Sequence, residues 1–185
     1  MKPHFSPFEV NSARFAGLLY LIIIAFGITS EVVLRGPLVD FASASGTASA
    51  VAANIGAWRL SIAADLVMAI ADAGLGILLF ILFRPFAPHL ALAAMIFRLV
   101  QAVLIAANLM NMQGALLLLT AGQDMTGMAA EQAEVLVLFL INLHAHGYDL
   151  GLVFFGINSL MTGALIWKSG LVHKSIGIGL AVAGA

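Results

Sequence analysis

Four stretches of this chain are apolar for longer than the core of a small soluble protein requires: about residues 13–34, 58–83, 88–120 and 131–167. A hydrocarbon layer about 30 Å thick is crossed by roughly 20 apolar helical residues. Inside lipid a backbone must satisfy its own hydrogen bonds, which a helix does and an open strand does not. The four stretches therefore predict an all-α, polytopic membrane helix bundle. Composition agrees with this. The 185 residues are 62% hydrophobic and 9% charged, whereas a soluble domain is roughly 25% charged. The surplus apolar surface needs a lipid bilayer as its partner. A net charge of −1 gives no case for nucleic acid. There is no cysteine, so disulfides, thiolate nucleophiles and iron–sulfur ligation are excluded.

The whole chain, 1–185, reads as a single integral membrane domain. Ser6-Pro7-Phe8-Glu9 resembles a helix start, with Ser6 as cap, Pro7 at the first helical position and Glu9 closing a capping box. The apolar run from Phe15 to Leu34 exceeds a signal-peptide core of about 7–15 residues, so it is expected to stay as the first span. Arg35-Gly36-Pro37 ends that span, and residues 36–57, small and polar, are expected as the longest loop. The second span ends at Arg84-Pro85, Pro88 opens the third, and "AGQDMTG" breaks it. The fourth stretch has only glycines near its middle, which are weak breakers, so one long helix is expected. After "KSGLVHK", "SIGIGLAVAGA" begins a fifth helix at about residue 175. That piece is too short to span, and the chain is expected to be truncated at its C-terminus. Basic residues favour the cytoplasmic side of a bacterial membrane. With the N-terminus inside, Lys2, Arg14, Arg84, Lys168 and Lys174 lie inside, against Arg35 and Arg59 outside.

Polar residues within the spans carry the functional question. At 100° per residue, Ser61, Asp65, Met68, Asp72 and Gly76 share one stripe of the second span, with Arg59 on the other side. Arg98, Gln101, Asn108 and Met112 share a stripe of the third. On the fourth, Asn142, His146 and Asp149 share a face that Glu131 continues, while His144, Gly147, Tyr148 and Gly151 occupy roughly the opposite one. The Gly147–Gly151 pair suits close helix approach, so that second face is expected to be a packing face with a polar accent. The first is expected to be polar and in need of partners. A charge at the bilayer centre costs at least about 2.5–3.5 kcal/mol. Asp65, Asp72, Arg98, Gln101, Asn108, Asn142, His146 and Asp149 are therefore expected to converge as a ligand or proton site between the three spans. Arg98 is expected to be buried within salt-bridge distance of Asp65, Asp72 or Asp149.

Sharper motifs fare worse. His144 and His146 point roughly 160° apart on a helix, and His146 with Asp149 supplies only two ligands, so no metal site is expected. Bis-histidine haem would require a dimer, because His4, His89 and His173 lie at or beyond the inner surface. No G-x-S-x-G, H-E-x-x-H or phosphate loop is present. Met68, Met95, Met110, Met112 and Met161 read as packing filler rather than copper ligands.

The blocks "ARFAGLLYLIIIAFGITSEVVLRG", "RLSIAADLVMAIADAGLGILLFILFRP", "FRLVQAVLIAANLMN" and "LHAHGYDLGLVFFGINSLMTGALIWKSG" resemble those of a bacterial multi-pass membrane family catalogued as domain of unknown function 4386. Arg98-Leu99-Val100-Gln101 and His146-Gly147-Tyr148-Asp149-Leu150-Gly151 carry the resemblance most strongly. It implies an α-helical protein of the bacterial cytoplasmic (inner) membrane with six spans, and it implies no activity.

Three function classes stay open. One is a small transporter or permeation protein for protons, ions or a small solute, with Asp65, Asp72, His146 and Asp149 binding the ligand and Arg98 setting their charge. Another is a membrane enzyme acting on a lipid or isoprenoid head group, with His146 and Asp149 as acid and base; this is the less favoured. The third is an accessory or assembly subunit whose polar network only holds helices together. No cofactor is expected. A bound lipid is expected, and a homo-oligomer or a larger membrane complex stays open.

Overall fold

The computed structural model describes residues 7–184, and within them no side chain of residues 7–9 or 122–126. The capping box proposed for Ser6 and Glu9 thus lies outside the described residues. All regular structure among the described residues is helical. Six α-helices follow in order: α1 (Pro7–Ile28), α2 (Ala44–Ala53), α3 (Ile55–Phe83), α4 (Pro88–Thr126), α5 (Ala130–Ser169) and α6 (Lys174–Ala183). Among the described residues, four stretches are long and apolar enough to cross a membrane: Val10–Leu38, Ile55–Phe83, Pro88–Ala121 and Ala130–Ser169.

Local chemistry explains most boundaries. Pro88 opens α4, where its missing N–H would have no helical partner in any case. Gly127 and Gly170 follow α4 and α5 with φ of 62° and 64°. This left-handed backbone ends a helix cheaply only at glycine. The seam after α1 is less ordinary. Thr29–Arg35 is a π-helix and Gly36–Leu38 a 3₁₀ turn. A π-helix widens the turn and frequently marks a functional position. The segment expected as loop is partly helical. Its alanines favour helix, and Ser43 caps α2 by accepting from the Gly46 N–H at 3.0 Å. Helix α4 also runs on through most of "AGQDMTG" before Gly127 stops it.

The chain divides into two compact units. The first takes Met1–Ile23, Ala69–Val103 and Leu150–Ala185; the second takes Ile24–Met68 and Leu104–Asp149. In the first, Phe83, Ala91, Ala94, Leu165 and Ile166 form one apolar cluster, and Ala16, Leu75 and Leu82 another. Helix α6 and the Gly184 that follows it lie against α5 through glycines, Gly177 facing Gly163 and Gly184 facing Gly156. A Cβ on Gly163 would sit 2.6 Å from the Gly177 carbonyl oxygen, and one on Gly156 2.7 Å from that of Gly184. Only glycine permits that approach. In the second unit the core gathers on Trp58, Met112, Leu116, Val137 and Ile141. Trp58 is fully buried, and its indole N–H donates to the Met112 carbonyl at 3.3 Å. That bond removes the cost of burying the one polar atom of a large ring.

Candidate functional site

In the first unit, α3 and α4 bring Asp72 and Arg98 together. Both side chains are almost wholly buried. Arg98 Nε and Nη2 donate to Asp72 Oδ1 at 2.9 and 2.6 Å. Its Nη1 donates to Asn158 Oδ1 at 3.0 Å and to the Tyr20 hydroxyl oxygen at 3.3 Å. Asn158 is held in that orientation because its Nδ2 donates to the Ala94 carbonyl at 2.6 Å. Gly76, one turn from Asp72, makes room for the arginine stem: a Cβ there would meet it at 3.4 Å. The Tyr20 ring covers the guanidinium, 5.1 Å from its centroid. Every charged hydrogen-bond donor group of the arginine has an acceptor, the condition under which a buried charge is tolerated. The arrangement is a closed lock. A larger cavity of about 450 Å³ also lies in this unit. Among the described residues Arg14 is its only charged lining residue, so it offers little for chemistry.

The second unit builds a different polar group around the π-helical seam. Arg35 is buried and donates to Asp65 Oδ2 at 2.7 Å and to Glu31 Oε2. Asp65 is buried while the Glu31 side chain is 63% exposed. Ser30 Oγ donates to the Ser61 carbonyl at 3.0 Å, fixing the seam against α3. Beside this ion pair is a cavity of about 200 Å³. Glu31, Arg35, Phe41, His144, Tyr148 and Asp149 are among its walls. The Phe41 wall is held in place by neighbouring bonds. The Thr47 hydroxyl donates to the Asp40 carbonyl and accepts from the Asp40 N–H, at 2.8 and 2.9 Å. His144, 3% exposed, rests on α4 through Asn108. Its Nδ1 lies 3.2 Å from the Asn108 carbonyl oxygen, and Asn108 Nδ2 donates to the His144 carbonyl at 2.6 Å. His144 Nε2 is buried with no hydrogen-bond partner among the described residues.

The expected polar residues thus fall into two groups rather than one. Arg98 pairs with Asp72, as its depth required, but Asp65 is taken by Arg35. Gln101 is buried with its Oε1 unpartnered among the described residues. Asn108 serves His144 and also accepts from Asn111 Nδ2 at 2.7 Å. On α5 the expected polar face does not turn inward. Asn142, His146 and Asp149 are exposed, and His146 Nδ1 bonds only to the Asn142 carbonyl, at 2.9 Å. The opposite face packs instead. Gly147 lies so close to Asn108 that any Cβ would overlap its side chain, and Gly151 is buried. Close approach to α4 requires the small residue, so the glycine face wins over the polar one. Asp149 still reaches the cavity wall.

Arg35, Glu31, Tyr20 and Asn158 were missing from the expected set. Glu31 and Arg35 carry a readable signal, opposite charges four residues apart on one helix. The position of Arg35 near a span end made it look like a boundary charge. Among the described residues, no three His, Cys, Asp or Glu side chains group closely enough to hold a metal ion.

A family model described as "Domain of unknown function (DUF4386)" matches residues 15–185. Neither the curated proteins nor the solved structures compared with the chain gave a match.

Proposed function

The chain belongs to the DUF4386 family, a domain of unknown function, and from that premise we propose that it is a small-solute transport or permeation protein. Its binding site is the cavity walled by Glu31, Arg35, His144, Tyr148 and Asp149. The observation that carries this reading is the set of charged walls of that cavity, with Glu31 and Asp149 exposed at it and Arg35 buried beside it. Cavities that hold small ligands pair apolar walls with a few such convergent polar groups. The Arg98–Asp72 pair is then the lock that holds the helices, because its donors are already engaged. The protein sits in the bacterial inner membrane with its N-terminus in the cytoplasm, as the excess of basic residues on that side supports. Its exposed apolar faces meet lipid.

The test is flux in proteoliposomes made with the full chain. Protons or a small polar solute are expected to cross faster than through empty vesicles, and Asp149→Asn or His144→Leu to reduce that flux. Rates equal to those of empty vesicles for protons, small cations, small anions and neutral solutes would overturn the reading in favour of an accessory subunit.

A further inference from the structure

We infer that the groove between α1, α3 and the α5–α6 turn holds one acyl chain of an anionic phospholipid, with the lipid head group on Arg14. This site lies in the first unit and is separate from the solute cavity of the second.

The shape of the groove selects a hydrocarbon chain. It is the cavity of about 450 Å³. Val10, Ala13, Arg14, Gly17 and Tyr20, one stripe of α1, form a side of it. From Val10 to Tyr20 that stripe runs about 15 Å, at 1.5 Å per residue. This is half of a hydrocarbon core about 30 Å thick, the depth of one leaflet. On the floor Leu82, Phe83 and Ile166 are buried, while Val10, Gly17 and Ile176 at the edges are exposed. Walls this apolar offer water few partners. In a bilayer the neighbour that fits an apolar trough along the helices is an acyl chain.

Charge selects the head group. Arg14 is exposed and has no ion pair among the described side chains. Arg84 follows Phe83 of the floor, and Lys168 and Lys174 flank the Leu171–Val172 wall. Among the described side chains of this unit the one carboxylate is Asp72, and Arg98 already holds it. Arg14, Arg84, Lys168 and Lys174 therefore lack an acidic partner there. Basic pockets between helices at a membrane surface bind anionic head groups. A second copy lying parallel would bring the same cations to this end and be repelled.

Depth agrees with both. Trp167 is 53% exposed, and Lys174 Nζ lies 4.4 Å from its ring centroid. Tryptophan is enriched at the level of the head groups, which places the phosphate layer at this end of the groove. Arg14 sits about 6 Å deeper along α1 than Val10, and its long side chain reaches that layer by snorkelling.

The experiment is native mass spectrometry of the delipidated full chain, titrated with palmitoyl-oleoyl phosphatidylglycerol or with the phosphatidylcholine of the same chains. Phosphatidylglycerol carrying a mid-chain diazirine is photo-crosslinked in parallel. The first phosphatidylglycerol is expected to bind at least about fivefold more tightly than phosphatidylcholine, the effect of one basic residue beside an anionic lipid. Arg14→Gln should bring phosphatidylglycerol to the level of phosphatidylcholine. Gly17→Leu should weaken both lipids by filling the groove, with the melting temperature unchanged, since a Cβ there meets nothing within 4 Å. Gly56→Leu, equally open but in the second unit, is the control and should bind as the parent. Crosslinks are expected on the buried floor, at Leu82 and Phe83. Equal binding of the two lipids by the parent, or a preference that survives Arg14→Gln, would overturn the head-group assignment. First-site binding unchanged in Gly17→Leu, or crosslinks confined to exposed positions such as Leu18 and Leu21, would mean annular lipid only and overturn the site. Dimers in place of lipid adducts would show a second copy covering the groove and overturn it too. None of these outcomes bears on flux through the second unit.

Discussion

Arg98 donates twice to one oxygen of Asp72, at 2.9 and 2.6 Å, while the other oxygen of that carboxylate has no partner among the described residues. The remaining donor arm of the arginine goes to Asn158 and Tyr20 on two further helices. One guanidinium therefore ties α1, α3, α4 and α5 within the first unit. Such a pair is expensive to break from one side and much cheaper to remove whole.

Arg98→Ala is accordingly expected to destabilise the protein by about 3–5 kcal/mol, because it strands the Asp72 carboxylate. The double variant Arg98→Met with Asp72→Leu should lose less than the two single losses added together. Thermal unfolding in detergent measures both. Additive losses would show that the two residues do not act as a pair.

Asn158→Leu removes the acceptor for Arg98 Nη1 and the donor to the Ala94 carbonyl in one step. The expected loss is about 1–3 kcal/mol, the cost of leaving buried polar groups unmatched. Asn158→Asp keeps an acceptor for the arginine but gives up the Ala94 bond. If Asn158→Leu melts with the parent, the orientation of this amide does not matter.

Gly163→Leu and Gly177→Leu should each prise α6 from α5, since even one Cβ at Gly163 would press on the facing carbonyl oxygen. Overpacking of this sort costs about 1–3 kcal/mol. Faster proteolysis between residues 170 and 173 is the readout. Gly179→Ala, at a position with nothing within 4 Å, is the matched control and should cut at the parental rate.

In the second unit, Arg35→Gln should be far more damaging than Glu31→Gln. The arginine neutralises buried Asp65, so its loss is expected to cost about 3–5 kcal/mol. Glu31 is an exposed partner, and its loss should cost no more than about 1 kcal/mol. Equal melting points for the two variants would mean that Asp65 does not depend on Arg35.

Gly147→Leu should separate α5 from α4 and break the exchange between His144 and Asn108, because its side chain would occupy the place of the Asn108 amide. The melting temperature should fall, at a cost of about 1–3 kcal/mol for overpacking. A Gly147→Leu variant that melts with the parent would show that the Asn108 contact does not hold α5.

Much of the fold was legible as residues alone. The length of each apolar run, Pro88 at a helix start and the lack of a proline within α5 define four long helices. The stripe Ser61, Asp65, Met68, Asp72 and Gly76 is buried along its length and Arg59 is exposed, as helical spacing requires. The burial of Arg98 follows from its depth, which leaves a long side chain no route to water. The α2 helix was hidden because small residues such as those of "ASASGTASA" serve loops and helices alike, and a cap decided between them.

Periodicity along one helix determined which residues share a face, because that depends only on the turn of the backbone. It did not determine which face meets a neighbour, which carboxylate an arginine takes, or where a cavity remains. Those were settled in three dimensions. Gly147 could approach Asn108 more closely than Asn142 or His146 could, so α5 turned its polar stripe outward and buried His144. Arg35, re-aimed by a π-helical seam, reached Asp65 and left Asp72 to Arg98. The candidate site lies where those two outcomes meet, at an imidazole nitrogen that packing buried and no side chain answered.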